Sequence, residues 1–389
     1  DKYPDVFSDI PGFCAAAVHE IPVTADFVPK RLRAYRVPEK LKPEVDRQIT
    51  ELLKAGFIRP SKSPMASPLV CVLKGKDGQQ GVRLAIDYRF VNRYTVADAF
   101  PFPEIAEVIQ KIGNAKYIST FDASSGYWQT AIKPEDQWKS AFICDAGLFE
   151  WTRTSFGMKS SGSTFVRAVQ VILQPIKSFT GAFVDDLAVH SGGFAQHLVH
   201  LDRFLTTIRE SGLTLKLKKS RFSQSEVKFC GELVGSGTRR TDPDKVSAVR
   251  ELRIPETKTQ VRQVLGFFGY FRDHIPNYAA LAKPLTDLTG KKVPNKVPWG
   301  PGEQQAYEDL KSALCRTTND RLHIINVDKP FNLHVDASDH TVAGVLTQPG
   351  EDGKEYPVAF ASLKLTPTRR KWSTVEKEAF AALAALKRF

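Results

Sequence analysis

Two adjacent aspartates, Asp185 and Asp186, stand in TGAFVDDLAVHSGG, residues 180–193, with Phe183 and Val184 before them and Leu187 to Val189 after. Neighbouring carboxylates repel each other and resist burial. Placing them at the tip of a tight β-hairpin makes chemical sense when divalent cations neutralise them. Oxygen ligands suit the hard ions Mg²⁺ and Mn²⁺, which take one or two carboxylates plus substrate phosphates. A third carboxylate would complete a site for two ions, roughly 3.5–4 Å apart, that activates a hydroxyl and stabilises a leaving oxygen. Asp122 is the candidate, because AKYISTFDASSGYWQTAI reads as a strand that ends near it in a turn of small residues. The plain alternative is two acidic hairpin tips that bind nothing.

The surrounding elements follow from periodicity. EVDRQITELLKAGF carries Val45, Ile49, Leu52 and Leu53 at helical spacing, with Gly56 placed to end the helix. ASPLVCVLKGKDGQQGVRLAIDYR alternates β-rich runs around a turn, giving a hairpin whose basic tip bears Lys74 and Lys76. SFGMKSSGSTFVRAVQVIL passes from a Gly/Ser loop, able to approach a ligand closely, into a helix bearing Phe165, Val169 and Ile172. In SGLTLKLKKSRF, Leu213, Leu215 and Leu217 alternate with Thr214, Lys216 and Lys218, predicting a strand with one buried face and one basic face. Residues 1–42 are Pro-rich and read as an extended arm. A helical region is expected from about 242 to 320, its first long helix capped by Thr257 and Gln260. Two strands and a helix capped by Ser373 and Glu376 then form the front of a small α/β domain.

Composition bounds the partners. Fifty-five Lys and Arg against 43 Asp and Glu leave a formal charge of +12 in 389 residues, which favours a polyanion such as nucleic acid. Five scattered cysteines without CxxC spacing indicate neither a zinc knuckle nor a disulfide framework, so a reducing compartment is expected. No apolar run approaches a membrane span and no signal pattern opens the chain, so a soluble intracellular protein without membrane contact is expected. The start without Met and the end within a helical pattern read as a segment of a longer polypeptide.

The ordered series GFIRPSKSPMASPLV, VRLAIDYRFVNRYTVADAFPFP, YISTFDASSGYWQ, SFGMKSSGSTF, FVDDLAVHS, LKLKKSRF and VKFCGELV resembles the reverse transcriptases of gypsy-class LTR retrotransposon Pol polyproteins, and the likeness covers nearly the whole chain. It implies an α+β right-hand polymerase followed by the N-terminal part of an RNase H-like α/β domain. Fingers and palm would occupy residues 43–240, a helical thumb 241–325, and the RNase H-like part 326–389. The resemblance implies RNA-directed DNA synthesis with two Mg²⁺ ions, Mn²⁺ being the alternative, held by Asp122 and Asp185 with Asp186 in support. Partners would be an RNA template, a DNA primer, the RNA-DNA hybrid and dNTPs. The site would lie in cytoplasmic retrotransposon particles, with the nucleus as an alternative, and dimer formation stays open.

Further roles are implied residue by residue. Tyr127 matches the bulky residue that excludes a 2′-hydroxyl, the alternative being a core aromatic. Arg83 matches the fingers arginine on the triphosphate, with Lys74 or Lys76 as its neighbour. Phe156 and Gly157 belong to the nucleotide-binding loop, Lys219 matches a lysine near the leaving pyrophosphate, and Phe229, Cys230 and Gly231 match the primer grip. Asp336 and Glu378 match the first two RNase H carboxylates, but the later ones are not in this sequence, so no RNase H activity is expected from it. The protease and integrase domains of such polyproteins are likewise expected outside it. Ser160, Ser161 and Gly162 replace the frequent Asn-Ala-Pro of this class, and Phe183 and Val184 replace the common Tyr and Leu or Ile. These departures keep a second reading in view, a catalytically silent nucleic-acid-binding relic, and a third, a DNA-templated polymerase.

Overall fold

A computed structural model describes residues 2–73 and 81–389. The chain divides into two compact units, the first holding residues up to Val108 and Tyr117–Gln224, the second Ile109–Lys116 and Ser225–Phe389.

In the first unit a four-stranded antiparallel sheet runs in the order Arg221–Gln224, Tyr117–Asp122, Asp186–Ser191, Thr180–Phe183. Helices Ser161–Leu173 and Phe194–Ser211 supply its apolar cover, with Phe121, Phe165, Val169, Leu187, Phe204 and Ile208 in the core. A five-stranded sheet, in the order Ile58–Pro60, Gly147–Trp151, Phe142–Cys144, Ser67–Leu73, Val82–Ile86, forms a second core with helix Lys42–Lys54. That helix buries Val45 and Ile49 and stops at Gly56, whose φ of +70° suits glycine. The Gly56 amide donates to Leu53 O and the Phe57 amide to Leu52 O, both at 3.0 Å, satisfying carbonyls the helix itself cannot pair.

Two sequence expectations change here. The arm contains a strand, Cys14–His19, paired in parallel with Thr130–Ile132; its Ala-rich sequence carries little β signal. The strand expected from Leu213 to Lys218 does not form. Leu213 and Leu215 are buried and Leu215 makes single bridges to Phe7 and Ala123, but Leu217 is exposed and opens a 3₁₀ turn, Leu217–Lys219. The Lys219 and Ser220 amides fold back onto Lys216 O, which ends the extension. The Lys74 and Lys76 hairpin tip lies outside the described residues.

The second unit joins a four-stranded antiparallel sheet, Glu226–Phe229, Glu232–Gly235, Thr238–Thr241 and Leu322–His323, to helices between Pro243 and Arg316. Val261, Phe268, Leu285, Tyr307 and Leu310 pack at the helical centre. The Thr257 and Gln260 capping box forms as read. A meander of Asn332–Ala337, Thr341–Pro349 and Glu355–Lys364 packs with helix Thr374–Arg388, which is capped by Ser373 and Glu376. Among the described residues no helix is long and apolar enough to cross a membrane.

Candidate active site

Strand register brings the aspartates together. Asp186 opens its strand directly opposite Asp122, the last residue of Tyr117–Asp122, and Phe183 flanks it on the other side. Asp185 sits at the hairpin tip after Val184, whose φ of +53° is costly for a β-branched residue. Its carbonyl accepts from the Ala123 amide at 3.2 Å, tying the tip to the neighbouring strand end.

The environments of the three carboxylates differ. Asp185 is half-buried, and its Oδ1 has no hydrogen-bond partner among the described residues. Burial, then the charges of Asp122 and Asp186, push its pKa up to about 6, against a smaller downward pull from Lys219 and Lys216. Partial desolvation and Asp122 also raise Asp186, whose side chain is nonetheless exposed and better screened by water. Asp122 takes the cations: Lys219 Nζ donates to its Oδ2 at 2.8 Å, and Lys216 Nζ lies 4.0 Å from Oδ1. As the side chains stand, no group of three His, Cys, Asp or Glu among the described residues is gathered around one ion position. The donor set nevertheless fits hard cations, because a buried carboxylate oxygen without a partner is stabilised by a positive ion.

A cleft of about 900 Å³ is lined in part by Arg83, Ser125, Trp128, Phe156 and Lys216, the last with its Nζ 4.0 Å from Asp122 Oδ1. Arg83 projects from strand Val82–Ile86 with its guanidinium 5.3 Å from the centre of the Phe156 ring. Phe156 packs in turn on Tyr127, ring centres 5.1 Å apart, and Phe165 meets Tyr127 edge-on at 5.9 Å. Burial and the Asp185 charge raise the Tyr127 pKa, so its hydroxyl stays protonated. Arg83, Phe156 and Lys216 thus line one cleft, tied to the aspartates through the Phe156–Tyr127 contact and the Lys216–Asp122 pair.

Residues 73–233 match the family described as reverse transcriptase (RNA-dependent DNA polymerase). They form a reverse transcriptase domain. Residues 299–389 match the RNase H-like domain found in reverse transcriptase, a match that includes helix Pro301–Arg316 ahead of the meander. The chain is 35% identical over 366 residues to the retrovirus-related Pol polyprotein from transposon opus and 32% identical over 376 residues to that from transposon gypsy, both of Drosophila melanogaster. These alignments cover 91% and 93% of this chain but 36% of each relative, so the chain spans about a third of their length. Among solved structures it is similar to the foamy viral protease-reverse transcriptase in complex with double-stranded DNA, at TM-score 0.88 and 27% identity, over 100% of this chain and 67% of that one. The same viral protein in complex with RNA/DNA hybrid gives 0.84 and 27%, over 100% of this chain and 52% of that one.

Several residues of this reverse transcriptase domain escaped the sequence reading. Gly126 is one: a Cβ there would lie 2.7 Å from Phe165 Cζ and 2.8 Å from Asp185 Oδ1, so only glycine lets the Asp122 turn pass beneath the hairpin tip. Gln129 is another. Its amide donates to Ser124 O and Thr214 O and accepts from the Thr214 amide, fixing that turn against the segment that bears Lys216. Asn92 holds the loop at Gly157, donating to its carbonyl and accepting from the Lys159 amide, each at 2.8 Å. The SSGYWQ run after Asp122 carried a signal for the first two; Asn92 carried none.

In the second unit, Phe229, Cys230 and Gly231 form the turn between Glu226–Phe229 and Glu232–Gly235, with φ of +49° at Cys230 and +84° at Gly231. The Tyr270 hydroxyl donates to Cys230 O and the Asp242 amide to Gly231 O, bracing the turn. Asp336 lies exposed on strand Asn332–Ala337, and Glu378 lies partly buried on helix Thr374–Arg388.

Proposed function

We propose that this chain is an RNA-directed DNA polymerase that extends a primer on an RNA or DNA template. The observation that carries the reading is the register of Asp122 with Asp186 beneath a tip carboxylate, Asp185, whose buried oxygen lacks a partner among the described residues. The bound nucleic acids of the foamy viral structures support primer-template as the partner class.

Reverse transcriptases generally use divalent ions, and here Asp122 and Asp185 would hold two Mg²⁺, with Asp186 beside them. Such ions activate the primer 3′-hydroxyl and neutralise charge on the leaving oxygen. The chain's own groups do the remainder. Arg83, held over Phe156, offers a planar fork to the triphosphate. Tyr127 crowds the position a 2′-hydroxyl would occupy. Lys219, already paired with Asp122, meets the charge of departing pyrophosphate. Phe229, Cys230 and Gly231 support the primer strand, and Gly157 lets the loop approach the nucleotide.

The test is extension of a labelled DNA primer on RNA and DNA templates of equal sequence, with Mg²⁺ and dNTPs. Extension on RNA, abolished by removing Mg²⁺, is the expected result. Extension on DNA alone would assign a DNA-templated polymerase, and binding without extension on either would assign a silent relic.

A further inference from the structure

Residues 96–103 are latched onto the start of helix Ser161–Leu173. The Asp98 amide donates to Ser160 Oγ at 2.9 Å, and Arg167 Nη2 donates to both Asp98 carboxylate oxygens, at 2.9 and 2.8 Å. The Arg167 guanidinium also lies 4.2 Å from the centre of the Phe100 ring. Ser160 accepts the latch from a left-handed conformation, φ +69°, that disfavours serine.

The latch delivers Phe102 to Gly162. A Cβ at Gly162 would meet Phe102 Cζ at 3.1 Å and the Tyr127 hydroxyl at 3.6 Å, so the Phe102 ring fills the space a side chain would need and glycine lets it sit against the helix on the side of the tyrosine hydroxyl. Phe102 is 48% exposed, and the core does not account for its seat. Ser160 and Gly162, two of the three departures from the class pattern in this loop, thus tie the arrangement down and make room for it.

We propose that Phe102, seated over Gly162, is a positioning residue for Tyr127: it closes the space behind the tyrosine hydroxyl and so sets how strongly nucleotides bearing a 2′-hydroxyl are rejected. The inference rests on the reading of Tyr127 as the sugar gate. A steric gate discriminates only as far as it cannot retreat, because rejection comes from a clash the wrong substrate must relieve. Phe156 and Phe165 pack the Tyr127 ring, while on the Gly162 side of its hydroxyl the neighbouring group is the Phe102 ring, whose removal would open room for the hydroxyl end to yield.

The experiment compares kcat/KM for single additions of dCTP and CTP opposite template guanine. Phe102→Ala is expected to lower the dCTP preference about tenfold, the range of one lost apolar contact. The change should fall on KM for CTP, with kcat for dCTP held within about twofold. Phe102→Leu should restore most of the preference. Tyr127→Ala should lower it further, and adding Phe102→Ala to that variant should change nothing, since the two act as one unit. An unchanged preference in Phe102→Ala, or an equal loss with and without Tyr127, overturns the proposal while leaving the polymerase reading intact. No dCTP addition by the wild type would overturn both, and an unchanged preference in Tyr127→Ala would remove the gate itself.

Discussion

At the scale of single residues, Asp185 concentrates the chemistry. Its pKa of about 6, against an ordinary 3.8, means that between these values the folded chain binds more protons than the unfolded one. Stability therefore falls as pH rises through that window, and above it the ionised carboxylate costs up to about 3 kcal/mol. Asp185→Asn is expected to be the more stable protein at pH 7.5 without metal, and to lose that advantage below about pH 4. Denaturant unfolding at the two pH values checks this; an advantage independent of pH would contradict it. Mg²⁺ should raise the wild-type unfolding midpoint and barely move that of Asp185→Asn, because only the native carboxylates bind it. The aspartates were legible in the sequence because two adjacent anions between apolar runs are chemically odd. Lys216 as a neighbour of Asp122 was not, since whether a lysine faces water or a carboxylate depends on a backbone turn that alternating leucines conceal.

Among elements, the tight passage of the Asp122 turn beneath the hairpin decides the geometry. Gly126→Ala places a methyl against Phe165 and Asp185 Oδ1, and is expected to slow nucleotide addition about a hundredfold, as small misplacements of reacting groups do. Single-turnover incorporation measures it; a rate near that of the wild type would show that the tip yields freely. In the second unit, Thr257→Ala removes the accepting side of a capping box and should cost about 1 kcal/mol in unfolding experiments. Helices with apolar periodicity and caps were readable from sequence because their signals are local. The Cys14–His19 strand was not, because its partner Thr130–Ile132 lies more than a hundred residues away and supplies what its own residues lack. The same holds for Leu213 to Lys218, where period-two alternation gave way to a turn closed on Lys216.

On the scale of the whole molecule, the net charge of +12 bears on partners more than on fold. Primer-template affinity is expected to fall about a thousandfold between roughly 50 and 200 mM salt, the response of several phosphate contacts. Filter binding across that range checks it; a flat response would remove phosphate contacts as the main source of binding. The order of motifs made the family legible along nearly the entire sequence. The division into units was less so, since Ile109–Lys116 leaves the first unit for the second, where the Gly237 amide donates to Gly113 O. No run of residues announces such an exchange. If Asp122 and Asp185 carry nucleotide addition, the rate of one dNMP addition at saturating primer-template, for the wild type, Asp122→Asn and Asp185→Asn, reports it. Loss of addition in both variants, at unchanged primer-template affinity and with folding intact, is the expected result. Addition by either variant at the wild-type rate would contradict it.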